Sequence, residues 1–310
     1  MNTEVKVFAP ASVANVAVGY DILGFALEAP GDEIIVRFSD KPGLSITQIT
    51  GDNGKIPHKL EKNTAGYAAL KLLEHLGASR QGIEMEIHKK MPFGSGLGSS
   101  AASAVAAVMA VNELLDCPLK KQELLPFAVL GEQIADGAYH ADNVAPSLLG
   151  GITLVRSNEA LDVHQLNVPR GTYATVVHPD VKILTKDARG ILSDQVDLQQ
   201  HIRQSGNLAA FVAGLYESDF DLIRRSLQDL IIEPQRAKLI PHFYEVKEAV
   251  LNTGVLGCSI SGAGPSIFAL SNNRQTAENA GEAMKRIFHD HHINNQVYTC
   301  EINQKGALRL

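Results

Sequence analysis

Three glycines at every second position, Gly94, Gly96 and Gly98, followed by the hydroxyls of Ser99 and Ser100, form the stretch of this chain best equipped for chemistry. Glycine lets backbone N–H groups turn toward a ligand with no Cβ in the way. An alanine-rich run follows (Ala101, Ala102, Ala104, Ala106, Ala107, Ala110), which predicts a helix from Ser99 to about Leu115 lying close against its neighbours. The unpaired first-turn amides and positive dipole end of that helix suit an anion such as phosphate. The dipole contributes only about 0.3–1 kcal/mol, so direct N–H bonds and a metal must supply most of a phosphate affinity. Ser100, at the loop–helix junction, carries a hydroxyl placed to reach such a metal. The P-loop pattern fails here, because Gly98 stands where it needs Lys. Gly96, Gly98 and Ala101 meet the dinucleotide spacing, with Asp116 beyond them. Yet Val105 to Leu115 continues a helix where that fold needs a second strand. A structural turn ahead of a helix is the remaining alternative.

The elements that must hold this loop can be read from periodicity. Val5–Val7 and Glu33–Phe38 read as strands, and Ile83, Met85 and Ile87 alternate with polar residues as a half-buried strand does. Asn63-Thr64 can cap a helix whose apolar face is Ala65, Ala68, Ala69, Leu72, Leu73 and Leu76, ending at Gly77. A third helix is expected through Leu130 to about Asp136, with Pro126 as its start or a kink. Beyond Gly150-Gly151, strands are predicted at 152–155, 174–177, 266–270 and 296–302, and helices at 207–230, 241–252 and 275–288. Strands and helices mix without strict alternation, so the class is α+β, divided near residue 155 into units 1–155 and 156–310.

Composition bounds the rest. The chain has 310 residues, 45% apolar and 20% charged, with net charge −6 and no Trp. Its Lys and Arg are scattered, which speaks against a nucleic-acid partner, and no run of 18 apolar residues suggests a membrane span. Cys117, Cys258 and Cys300 fit neither a disulfide framework nor a zinc site; with no signal-peptide pattern at the start, a cytoplasmic location is expected.

Three strings together carry a resemblance. Residues 92–102, Pro-Phe-Gly-Ser-Gly-Leu-Gly-Ser-Ser-Ala-Ala, resemble the central motif of the GHMP kinases, which include galactokinase, homoserine kinase, mevalonate kinase and phosphomevalonate kinase. Phe8 to Asn15, followed by Gly19-Tyr20-Asp21-Ile22-Leu23-Gly24, resembles the amino-terminal motif in its homoserine-kinase form. Gly257 to Ser266 resembles the carboxy-terminal glycine motif. The order is right and the three span nearly the whole chain.

The resemblance implies two domains, the first like ribosomal protein S5 and the second ferredoxin-like, with the site between them. It implies ATP-dependent phosphorylation of the homoserine side-chain hydroxyl, on the path to threonine. The small-molecule partners are ATP and homoserine, Mg²⁺ is the metal, and a homodimer is common among such enzymes. Nucleotide would be held by Met91, Pro92, Phe93, Gly94, Ser95, Gly96, Leu97, Gly98, Ser99, Ser100 and Ala101; Asn63 is either a contact to the base or a plain cap. Ser100 and Glu132 would hold the metal. Lys89 and Lys90 would assist the phosphates or face solvent, solvent being preferred for one of them. Homoserine carries an ammonium, which calls for carboxylates, and a carboxylate, which calls for Arg. The matching segments offer Asn15, Asp21, His140, Asp142, Asn143, Thr185, Arg189, Arg236 and Gly262, with Ala141 standing where these kinases usually have Pro. His140 is read as a hydrogen-bond partner rather than a base. Asp142 either takes the hydroxyl proton, as mevalonate kinases suggest, or binds the ammonium while Asn143 orients the hydroxyl, which is preferred. The rivals are a sister kinase with another acceptor and a non-catalytic sensor that kept the loop.

Overall fold

A computed structural model describes residues 3–92, 94–137 and 139–310. In chain order the elements are β1 (Glu4–Ala14), β2 (Leu23–Phe38), β3 (Leu44–Thr50), α1 (Thr64–His75), β4 (Ile83–His88), α2 (Ser99–Leu114), α3 (Leu125–Asp136), α4 (Val144–Leu149), β5 (Ile152–Ser157) and β6 (Asp162–Leu166). There follow β7 (Tyr173–Pro179), α5 (Thr185–Gly190), α6 (Leu198–Glu217), α7 (Phe220–Ser226), α8 (Glu233–Arg236), α9 (Phe243–Leu251), β8 (Gly257–Ile260), β9 (Ile267–Ser271), α10 (Arg274–Asp290), β10 (Asn295–Glu301) and β11 (Leu308–Arg309).

Two sheets organise these elements. The first runs β11-β1-β2-β4-β3, with β5 and β6 added along β2, and the second runs β10-β7-β9-β8. Residue 155 falls inside the β5–β6 hairpin; the chain crosses to the second sheet between Leu166 and Tyr173, and β11 returns to the first. In the first sheet Val7 lies opposite Ile34 and Ile34 opposite Ile87, while Val5, Val36 and Met85 form a second such row. All six are buried. They are the alternating residues that periodicity assigns to a core face.

Against this face packs α2, whose residues Ala101 to Val108 are all buried. A helix apolar on every side belongs in an interior, and alanine lets α1 and α3 approach it. At Gly131 of α3 a Cβ would meet Thr64 O at 2.6 Å and Ala68 Cβ at 2.7 Å. That contact fixes where Glu132, the next residue, sits.

The α+β mixture is as expected, but one predicted helix is not. The element expected over 207–230 starts at Leu198, where the Asp197 carboxylate accepts from the amides of Gln199 and Gln200. It ends with Ser218 in the left-handed region at φ +56°, and Asp219 caps a separate α7. Gly214 allows the return, since a Cβ there would lie 2.9 Å from Ile223. Among the described residues, no helix is long and apolar enough to cross a membrane.

Candidate functional site

Four helices, α1, α6, α7 and α10, begin with Asn or Asp side chains that accept from their first-turn amides. The sixteen-residue α2 does not. Its cap is Gly98, at φ +64°, with no side-chain cap bond. α3, α4, α5, α8 and α9 also start without a side-chain cap; what sets α2 apart is that its first-turn amides follow directly on a glycine loop, an arrangement suited to an anion.

The loop ahead of α2 is held by contacts that require glycine. Gly94, Gly96 and Gly98 all have positive φ, at +62°, +73° and +64°. A Cβ at Gly96 would stand 2.5 Å from Ser261 O, and one at Gly98 would stand 2.3 Å from Ser12 Oγ and 2.7 Å from Asn143 Oδ1. The loop carbonyls are turned to the protein. Ser95 O accepts from the Ser266 amide and hydroxyl, Gly96 O from Ser261 Oγ at 2.6 Å, and Leu97 O from the Ser12 amide at 3.0 Å. The carboxy-terminal glycine segment forms the β8–β9 turn and, through these bonds, clamps the phosphate-type loop from the other sheet.

Below the start of α2 lies a buried ion pair. Lys89 meets Asp32, and its Nζ also donates to Ser99 O at 2.8 Å and Ser103 Oγ at 2.7 Å. Asp32 further accepts from the Lys90 amide and the Ser103 and Ser99 hydroxyls. Lys89 thus neither faces solvent nor reaches outward; it anchors α2 to β2. Lys90 is half-exposed and pairs with Glu33.

A second group surrounds the turn between β1 and β2. Asn15, Val16, Ala17 and Asp21 are all left-handed there, with φ between +43° and +73°. Such a concentration costs energy that the surroundings must offset, and Asn15 is central to doing so. Its Oδ1 accepts from the Asp21 amide at 3.1 Å, and its Nδ2 donates to Gly262 O at 2.9 Å. Arg189, from α5, donates to both Asp21 oxygens at 3.1 and 3.3 Å, and His140 Nε2 lies 3.7 Å from Asp21 Oδ2. Arg236, only 3% exposed, donates to Ala188 O, Gly262 O and the Tyr20 hydroxyl. The Tyr20 ring has the Arg236 guanidinium 5.0 Å from its centroid and that of Arg189 5.9 Å away. Burial pushes the Tyr20 hydroxyl up and Arg236 down from their ordinary values.

Asp142 and Asn143 join the two groups. Asp142 is buried, and Gly24 is needed beside it, because a Cβ there would come within 1.9 Å of Asp142 O. Desolvation, reinforced by the nearby Asp21 charge, raises its carboxyl to about 7. Asn143 Oδ1 accepts from Ser12 Oγ at 2.9 Å, against Gly98. The β1–β2 register shifts between Pro10 and Ser12, the kind of irregularity that re-aims a side chain.

The remaining expected residues fall as follows. Met91, Leu97 and Ala101 are buried in the core below the loop, Pro92 and Ser100 are half-buried, and Gly94 is exposed. Asn63 is buried with both ends of its amide engaged, accepting from Gly66 N and donating to Pro57 O, the geometry of a cap. Phe93 and the Thr185 side chain lie outside the described residues. Ser12 and Tyr20 lie within the amino-terminal motif, yet the sequence does not single them out; a small hydroxyl between Ala11 and Val13 and a phenol beside Gly19 are the available signal.

A glycine loop at the start of a buried helix, beside a cluster of charged side chains and clamped from a second sheet, is the arrangement of a phosphoryl-transferring enzyme of the small-molecule kinase class. Residues 63–151 match the GHMP kinases N terminal domain, and residues 211–290 the GHMP kinases C terminal. The homoserine kinase of Chlorobium phaeobacteroides (strain BS1) is 47% identical over 290 residues, covering 91% of each chain. The crystal structure of homoserine kinase from Cytophaga hutchinsonii superposes with a TM-score of 0.98 at 54% identity, covering 100% of this chain and 98% of that one. A mevalonate kinase from L. major, at 16% identity and TM-score 0.73 over 97% of this chain and 98% of its own, shares the fold. The chain belongs to the GHMP kinase family.

Proposed function

We propose that this protein transfers the γ-phosphoryl group of ATP to the side-chain hydroxyl of L-homoserine, giving O-phospho-L-homoserine. The observation that carries this reading is the Ser12–Asn143–Gly98 contact, which sets an acid-and-arginine pocket directly against the start of α2. A hydroxyl beside Asn143 then lies next to the terminal phosphate of a nucleotide held on the loop.

The donor set suits a magnesium nucleotide. Ser95 Oγ is buried and, among the described residues, lacks a hydrogen-bond partner. The uncapped amides of α2 are the same kind of donor. Ser100 and Glu132 offer the hard oxygen ligands that Mg²⁺ prefers. When bound, the ion would neutralise charge on the transferring phosphoryl group.

The chain's own residues do the rest by position and charge. Asp142, with Asp21 near it, receives the substrate ammonium, and binding draws the raised Asp142 carboxyl into its ionised form. Arg189 meets the substrate carboxylate from the open side and Arg236 from the buried side, while Asn15 and Gly262 hold the floor. Asn143 orients the hydroxyl, whose oxygen bonds to the γ-phosphorus as the bond to ADP breaks, and the hydroxyl proton passes to a phosphate oxygen rather than to a strong side-chain base. The test is a panel of alcohols with ATP, read by ADP release. A preference for homoserine over mevalonate and sugars is expected; no such preference ends the assignment.

A further inference from the structure

On the second sheet's helices, a cluster stands that the phosphoryl-transfer residues do not include. His242 is the residue before α9, Glu245 is in its first turn, and His291 follows the end of α10. Glu245 Oε2 lies 2.8 Å from His291 Nε2 and 3.3 Å from His242 Nδ1. The two imidazoles stack with centroids 3.5 Å apart. All three ligand-type atoms fall within 4.8 Å of one another.

We propose that His242, Glu245 and His291 form a surface site for a zinc-class divalent transition metal. Tetrahedral zinc with bonds near 2.0–2.1 Å places its ligands about 3.3–3.4 Å apart, and the His242–Glu245 separation of 3.3 Å already has that value. The His291–Glu245 pair needs to open by roughly half an ångström to reach it. Two parallel rings cannot both point a nitrogen in plane at one ion, so one imidazole tilts on binding. Both are part-exposed, and that torsion is soft. Two nitrogens and one oxygen select zinc, cobalt, nickel or copper over magnesium, so the site does not compete for the nucleotide's ion. Two rigid helix ends supply the ligands, and water completes the shell, so the ion clips α9 to α10.

Helix-end electrostatics alone would also favour an acid at the start of α9 and a histidine at the end of α10, and the experiment separates the two. Tag-free protein is titrated calorimetrically with ZnCl₂, and the absorption of added Co²⁺ is recorded. One ion per chain, unaffected by excess Mg²⁺, is expected. His291→Ala and His242→Asn, the latter keeping a residue that tolerates left-handed backbone, each weaken zinc binding by more than about tenfold. His289→Ala, altering an exposed neighbour outside the cluster, leaves it unchanged. Zinc raises the melting temperature of the unmodified protein but not of the His291 variant. Absence of a stoichiometric ion, or unchanged affinity in the two cluster variants, overturns the proposal whether or not homoserine is the substrate.

Discussion

The two halves of the site are built from different materials. The side assigned to phosphate is backbone: three left-handed glycines, loop carbonyls tied to Ser12, Ser261 and Ser266, and a helix start without a side-chain cap. The side assigned to the acceptor is charge, with Asp21, Asp142, Arg189 and Arg236 brought from four distant segments, the two arginines over the Tyr20 ring. A triphosphate tail is the same molecule whatever the acceptor, so its seat can be fixed in main chain. An acceptor differs from one sister enzyme to the next, so its seat is made of side chains that can be exchanged while the scaffold stays.

That contrast breaks first at Gly98. Gly98→Ala forces a left-handed L-residue, costing about 1–2 kcal/mol, and drives a methyl into Ser12 and Asn143. Displacing reacting groups by about 1 Å costs roughly 100-fold in rate. We expect kcat to fall at least that far, with far-ultraviolet circular dichroism unchanged. Turnover within a few-fold of the parent would show that the loop does not set the phosphate.

The acceptor side should split instead of collapsing. Asp142→Asn removes the partner of a buried ammonium, and losses of about 2–5 kcal/mol are usual for such pairs, so the homoserine KM should rise about 30-fold or more. Asn143→Ala should lower kcat with a smaller change in KM. If Asp142→Asn lowered kcat and left KM intact, Asp142 would be the base and the division of labour would be reversed.

How far the sequence reveals these halves follows from the same contrast. The loop and α2 are contiguous, so spacing alone exposes them, and the alanines announce a helix buried on all sides. Nothing in the spacing of Asp21, Asp142, Arg189 and Arg236 reveals that they meet; only the family resemblance groups them. The role of Lys89 stays open from sequence because its partner Asp32 lies 57 residues away across a strand pair. The break at Ser218 is masked by an apolar pattern that runs on from Leu215 through Phe220, Leu222 and Ile223, although Asp219, which caps α7, is a local start signal.

The pH dependence tests the acceptor side more gently. Burial raises Asp142 to about 7, so the folded, unliganded protein keeps a proton that the unfolded chain has lost. Folding stability from this group is therefore greatest below its ordinary value of 3.8 and declines as pH rises toward 7. Binding an ammonium requires the opposite, the ionised form. The homoserine KM should climb as pH drops below about 7, approaching tenfold per unit, while the KM for ATP stays nearly flat. In the unliganded state Asp142→Asn should melt higher than the parent at about pH 8, the stability that the binding residue gives up. A homoserine KM constant between about pH 5.5 and 8 would mean that Asp142 does not face the ammonium.

The smallest effect belongs to the seam between the halves. Ser12 is fully buried, its amide bonded to Leu97 O and its hydroxyl to Asn143 Oδ1. Ser12→Ala keeps the first bond and removes the second, leaving an amide oxygen beside Gly98 with one donor fewer. A neutral hydrogen bond of this kind contributes about 0.5–1.5 kcal/mol, or roughly 2- to 13-fold. If the hydroxyl does no more than stabilise the fold, that loss appears in the melting temperature and not in kinetics. If it aims Asn143 at the reacting oxygen, kcat falls several-fold at saturating homoserine and ATP, and Ser12→Ala adds little on top of Asn143→Ala. Non-additivity in that double mutant is the signature of two residues acting as one device across the boundary. Full additivity would leave the phosphate and acceptor sides as neighbours with no shared part.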